Sequence, residues 1–321
     1  MEFSYLSRII SPSLYAFFLA VIFFPFFISW QKKHSLGQSI KKEGPNLHLH
    51  KEKTPSMGGV VVLLSLVFAL IIGGFKSNLS FFFLPLAGFF LLGFLDDYFK
   101  TFGDKPWGLK ARYKFLVQLL LGGFILWAGE GILPPEVEIP FTGEIFYFSR
   151  WSFFLYGMLV LVGSANAFNL TDGLDGLAGG CGALTFGFWG AVFALQEKGE
   201  LAMLSFAVVG ALLAFLFFNA WPARIFLGDT GSLPLGALMG VMALLSGQSL
   251  LLLLAGIIFF LDTLSVILQV FCYRVFKRRI FLMSPIHHHF ELLGKKESEI
   301  TSRFWIIQGV GVIMAILGAT G

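Results

Sequence analysis

Charge is scarce in this sequence. Asp, Glu, Lys and Arg make up 13% of its 321 residues, against about a quarter in soluble domains. With 56% hydrophobic residues and a mean hydropathy of +0.80, that shortage excludes an ordinary soluble domain and points to a polytopic membrane protein. Cysteine is scarcer still. Cys181 and Cys272 both lie in apolar runs, which excludes a disulfide framework and makes them small buried hydrophobes. No G-x-x-x-x-G-K-S/T string occurs, so the chain is not a P-loop NTPase. No small-residue cleavage site follows the first apolar run, which therefore reads as a retained span and not a removed signal.

What is present is a series of apolar runs of the length a membrane crossing needs, roughly 20 residues. Ten spans are expected, at about 11–30, 57–75, 79–97, 112–129, 151–169, 177–195, 201–219, 232–247, 249–272 and 303–320, the eighth being short and glycine-rich. The expected fold is one all-α polytopic membrane domain over 1–321. The loops after odd-numbered spans hold 19 of the 23 Lys and Arg, leaving only Arg8, Lys76, Arg150 and Lys198 on the other side. The positive-inside rule then puts those loops in the cytoplasm and both termini on the periplasmic side. Residues 130–150, with Pro, Gly and alternating apolar positions, read as a small outer hairpin.

The acidic residues gather on the inner side. Asp96 and Asp97 close the third span in "GFLDDYFK", where the negative end of a helix makes carboxylates electrostatically misplaced. A cation is therefore expected beside them, with Lys100 as the plain candidate and a bound metal as the functional one. "NAFNLTDGLDGLAGG" carries Asn169, Asp172 and Asp175. The two aspartates share a face if the segment is helical, and Asp is also a common helix cap. Ala183 stands where a calcium loop would need its Glu, so an EF-hand is excluded. "FFNAWPARIFLGDTGS" adds Asn219, Phe226 and Asp229. An aromatic beside a carboxylate and a glycine turn suits a flat ring, although Asp229 also serves as a simple cap. In "MSPIHHHFE", neighbours His287, His288 and His289 diverge too much to ligate one tetrahedral metal and suit phosphate contacts better. Carboxylates prefer hard cations such as magnesium, which share substrate phosphates. The constellation is that of phosphoryl transfer at a membrane surface.

These strings, together with "EGPNLHLHKEKTPSMGG" and "LKARYKFLVQ", resemble the phospho-N-acetylmuramoyl-pentapeptide transferases of the polyprenyl-phosphate N-acetylhexosamine-1-phosphate transferase superfamily. The match runs in order along almost the whole chain. The resemblance implies a multi-pass enzyme of the bacterial inner (cytoplasmic) membrane with its active site on the cytoplasmic face. It would move phospho-N-acetylmuramoyl-pentapeptide from its UDP derivative to undecaprenyl phosphate, giving lipid I and UMP for peptidoglycan. It further implies Mg2+ dependence and a homodimer. UDP-MurNAc-pentapeptide, undecaprenyl phosphate and the bilayer are the expected partners, with no nucleic acid. By motif, Asp229 would be the metal ligand. Asp96 would act on the lipid phosphate with Asp97 in support, and Asp175 would lie near the nucleotide sugar. Asn169, Asp172 and Asn219 would belong to the substrate pocket, Phe226 would stack on uracil, and Lys51, Lys114, His287, His288 and His289 would contact phosphates.

Two positions depart from the family. Lys53 stands where Gly is usual, and Asp262 where Glu is more common. An ionisable intramembrane residue such as Asp262 implies a functional or interhelical role. Two rival functions stay open at this level. One is the same chemistry on another sugar. The other is a transporter, which would place its polar residues near the bilayer midplane. Here nearly all lie at the inner surface, Asp262 excepted.

Overall fold

The computed structural model describes residues 3–34, 51, 54–76, 79–102 and 108–320; Lys53 lies outside them. The helices among these residues are α1 (Phe3–Lys33), α2 (Gly59–Ile72), α3 (Leu79–Phe102), α4 (Ala111–Ala128), α5 (Arg150–Thr171), α6 (Leu177–Leu195), α7 (Gly199–Asn219), α8 (Asp229–Ser246), α9 (Leu252–Ala255), α10 (Ile257–Phe276), α11 (Ile286–Leu292) and α12 (Glu297–Thr320). Among the described residues, nine are long and apolar enough to cross a membrane: α1, α3 to α8, α10 and α12. The expected second span is the 14-residue α2, about 21 Å long at about 1.5 Å per residue and short of a hydrocarbon core of about 30 Å; its segment still links the two ends of the bundle, from Gly59 against Gly231 to the Lys76 N–H, which donates to Glu200 at 3.1 Å. The expected hairpin is present, with β1 (Glu136–Glu138) antiparallel to β2 (Ile145–Tyr147) and Val137 opposite Phe146.

α8 explains why the eighth span is short and rich in glycine. Every residue from Asp229 to Ser246 is buried against neighbouring helices, so this helix presents nothing to lipid. α3 and α5 pack along it, and small residues allow the close approach that such packing uses. At Gly93 of α3, an added Cβ would lie 2.1 Å from the Asp229 carbonyl oxygen. The outermost helices show the opposite pattern, with Phe18, Phe26, Trp151, Leu155, Leu159 and Phe217 exposed, as a lipid-facing surface requires.

The ninth expected span, 249–272, is not continuous. A 3-10 turn at Ser249–Leu251 leads into α9, and the chain breaks at Gly256 before α10 begins. Free backbone groups inside an apolar assembly must find partners. Here they find side chains. The Ile258 N–H donates to Gln308 Oε1 at 3.0 Å. The Gln308 amide donates to Thr185 Oγ1 at 2.8 Å and also to the Ala255 carbonyl, which accepts a further bond from Thr185 Oγ1 at 2.7 Å. Thr185 and Gln308 are both fully buried. Tertiary partners therefore stabilise a break that hydropathy cannot report.

Polar contacts gather at the two ends. Lys198 reaches the Leu245 carbonyl, Gln248 reaches Glu138, and Phe141 N–H meets the Gly318 carbonyl, so the hairpin, the α6–α7 turn and the end of α12 lie together. Tyr5 packs on Gly199 at the same end, which brings the start of α1 there too. The opposite end collects residues 51, 54–58, 96–102, 108–114, 169–176, 219–229 and 283–301.

Gln308→Leu should leave buried backbone groups unpaired at about 1–3 kcal/mol each. Thermal unfolding in detergent should show a clear loss, larger than that of Thr185→Val; an unchanged midpoint would mean that the Gly256 break does not need this support.

Candidate active site

The C-terminal end of α3 meets the N-terminal end of α8. One carboxylate oxygen from each of Asp96, Asp97 and Asp229 lies within 4.8 Å of the other two, and all three residues are buried. Three negative charges this close repel strongly, and their compensation is visible. Lys100, one turn beyond Asp96 on α3, places Nζ 2.6 Å from Asp96 Oδ2, 3.7 Å from Asp97 Oδ1 and 3.3 Å from Asp229 Oδ2. Lys114 of α4 lies 3.3 Å from Asp96 Oδ2 and also pairs with Asp229. Asp97 Oδ2 accepts from the Thr230 N–H at 2.9 Å and the Thr230 hydroxyl at 2.6 Å, so the positive end of α8 answers the negative end of α3. Lysines of the chain itself thus stand beside Asp96 and Asp97, where a cation is expected.

Each carboxylate is also aimed by a neutral donor. Leu109 N–H holds Asp96 Oδ1 at 2.7 Å, and the Asn169 amide holds Asp229 Oδ1 at 2.7 Å while bonding Ser232 Oγ at 2.8 Å. Asp229 occupies the first turn of α8, where Gly228 is the N-cap with φ +75° and no side-chain cap bond forms; a Cβ at Gly228 would meet Asp97 Oδ2 at 2.5 Å. Asp96 Oδ2, Asp97 Oδ1 and Asp229 Oδ2 are left facing the lysines. An all-oxygen set of this kind fits a hard divalent cation such as magnesium.

The segment after α5 is a turn, not a helix, and this separates the two aspartates that a helix would align. Asp172 caps the end of α5. Desolvation pushes its carboxyl well above the usual range, Asp229 and Asp97 push it further, and the Gly228 N–H opposes them. Asp175 turns away to a second cluster, where Lys51 Nζ lies 2.7 Å from Asp175 Oδ1 and also pairs with Glu297. Asp175 Oδ2 accepts from the Ala223 N–H at 2.8 Å. Glu297, Thr301 and Trp305 of α12 bond the backbone of Asp175 and Gly176. Asn219 is buried, and both ends of its amide are engaged: Oδ1 accepts from Gly176 N–H at 2.9 Å, and Nδ2 donates to the Ile225 carbonyl at 2.8 Å. It joins two loops, the turn at Gly176 and the segment at Ile225. Phe226 is half-buried, not open, with Lys51 Nζ 5.8 Å from its ring centroid.

The three histidines diverge as neighbours must. His287 is fully buried against Asp262, His288 Nδ1 lies 2.6 Å from Glu291, and His289 Nδ1 accepts from the Leu282 N–H at 3.2 Å. Glu297 and Thr230 carry clear roles that motif reading missed. Thr230 sits inside a quoted motif, whereas nothing near Glu297 links it to residues more than a hundred positions earlier.

The profile of glycosyl transferase family 4 matches residues 79–247, which hold all three clustered aspartates, Lys100 and Lys114. The phospho-N-acetylmuramoyl-pentapeptide-transferase of Bacillus cytotoxicus is 41% identical over 310 residues, covering 94% of each chain. The enzyme of the same name from Bacillus anthracis is 41% identical over 309 residues, again covering 94% of each.

The raised carboxyl of Asp172 gives a signed pH dependence. Below the ordinary carboxylate range, about 3.9, both folded and unfolded chains are protonated there and the site contributes nothing. As pH rises, the unfolded chain releases this proton first, so stability falls. Asp172→Asn should therefore raise the melting temperature of metal-free protein at pH 8, with the gain vanishing near pH 4; an equal effect at both pH values would refute this account.

Proposed function

The chain belongs to glycosyl transferase family 4, in the branch of the phospho-N-acetylmuramoyl-pentapeptide transferases, and from that premise we propose that it moves phospho-N-acetylmuramoyl-pentapeptide from UDP to undecaprenyl phosphate. The products are lipid I and UMP. The observation that carries this reading is the pairing, at one end of a membrane-type bundle, of a three-carboxylate, two-lysine cluster with a Lys51–Phe226 face.

The lipid phosphate oxygen attacks the sugar-linked phosphorus, the bond from that phosphorus to the bridging oxygen breaks, and UMP leaves with the bridging oxygen. One pyrophosphate bond replaces another, so no ATP is needed. Asp96 and Asp229, with Asp97 beside them, are the residues that would hold Mg2+, which when bound offsets pyrophosphate charge. Lys100 and Lys114, which stand at the same carboxylates, would contact phosphate oxygens. Asp97, fixed by Thr230, holds the α3–α8 junction in register. Phe226 offers the uracil a stacking face, and the Lys51–Asp175–Glu297 cluster fixes the turn beside it.

This end is cytoplasmic in our reading, because the basic loops gather there; both chain ends are then periplasmic. The membrane is the bacterial inner membrane and the working unit a homodimer.

Purified protein in detergent, given UDP-MurNAc-pentapeptide and undecaprenyl phosphate, should release UMP only with Mg2+, and Asp229→Asn should lower the rate by at least about a hundredfold. Release from UDP-GlcNAc but not from the muramoyl donor would reassign the sugar, and no release from folded protein with either donor would defeat the reading.

A further inference from the structure

Asp262 is a buried acidic residue that the reaction above leaves unused. It lies in α10, fully buried. Both oxygens of its carboxylate face one atom, His287 Nδ1, at 3.1 and 3.0 Å. His287, in the first turn of α11, is fully buried as well. Its other ring nitrogen, Nε2, is buried and has no hydrogen-bond partner among the described residues. That nitrogen abuts Gly173, where an added Cβ would lie 2.4 Å from it. Gly173 is exposed and lies in the turn between Asp172 and Asp175. One ring thus runs from a carboxylate inside a membrane-type helix to the turn that borders the site.

A carboxylate accepts and does not donate, so Nδ1 carries the hydrogen and Asp262 fixes the ring's tautomer and direction. Nε2 is then the nitrogen left for a ligand. Buried polar atoms without partners are rare and call for an explanation. Here a residue without a side chain, at an exposed turn, lies against Nε2. A carboxylate that holds one imidazole nitrogen so that the other meets a ligand is a recurring device of binding and catalytic sites.

We propose that Asp262 is a positioning residue: acting through His287 Nδ1, it aims Nε2 past Gly173 at a diphosphate oxygen of the nucleotide-linked donor. The ligand class is a nucleoside diphosphate. This rests on the transferase reading above and adds to it that a residue within a membrane-type helix, and an exposed glycine, set donor affinity.

The test uses two variants that reach the ring from opposite ends. Asp262→Asn keeps the size but lets the amide rotate and donate, freeing the tautomer. Gly173→Ala lies in an exposed turn and pushes the ring aside with its Cβ. Each should raise the donor KM at least fivefold and leave the KM for undecaprenyl phosphate unchanged, and the double variant should be no worse than the poorer single one. Wild-type donor KM in folded protein, a fall in kcat with both KM values unmoved, or additive losses would each overturn the proposal. Calorimetric titration with UDP separates this from the reaction itself. If wild-type protein releases no UMP, the transferase reading falls and the titration alone decides: weaker UDP binding by both variants sustains the role of Asp262, and equal binding ends it.

Discussion

The contact between the end of α3 and the start of α8 sets the terms for the rest of the molecule. It forces three carboxylates into one buried space, an arrangement that is unfavourable unless positive charge is brought to it. Two lysines from different helices, two groups of Thr230 and the end of a helix dipole supply that charge. These donors come from three elements, so the cluster is satisfied only when α3, α4 and α8 are all in place. A ring of this kind is rigid toward movement and yet exchangeable in charge. The lysines are held by the same oxygens that would face a divalent cation, so the charge balance of the cluster and its geometry are set by one group of atoms.

The burial of α8 follows from the same contact. Its first turn must sit among residues of α2, α3 and α5 for Asp229 and Thr230 to reach Asn169 and Asp97. Glycines at the crossings allow the backbone to approach, as Gly93 does over the Asp229 carbonyl. The helix at the centre of the bundle therefore looks, in composition, like the weakest span. The Gly256 break obeys the same logic at another depth, because Gln308 and Thr185 supply from outside the bonds that the backbone gives up.

Much of this was legible before any coordinates. Apolar runs locate α4 to α8 within about three residues, since length and hydropathy are local properties, but miss the polar-flanked starts of α1 and α12 by more. The pairing of Lys100 with Asp96 and Asp97 follows from helix spacing alone. Other features are not local. Asp172 and Asp175 look like one face of a helix, but the segment is a turn with Gly176 left-handed at φ +77°, and the two carboxyls part. Asn219 resembles a ligand contact, yet it closes a seam between Gly176 and Ile225. Glu297 lies outside every motif and reaches Lys51 only because α12 returns to α6. Motif reading names the residues at a site; it does not say which of them face a ligand and which hold the others still.

Asp262 sharpens that distinction. In a transporter, an acidic group within a membrane-type helix would belong to a path across the bundle, with polar neighbours on both sides. Here its neighbours lead one way. The carboxylate is bonded to His287, the ring abuts Gly173, and the turn beyond carries Asp172, whose own carboxyl feels Asp229 and Asp97. The chain of contacts runs from the helix interior to the charged end and stops there. A lone carboxylate within an apolar helix would be costly, and its imidazole partner makes it tolerable. An acid there therefore does not argue for transport when the imidazole that its carboxylate holds points it back to the surface cluster.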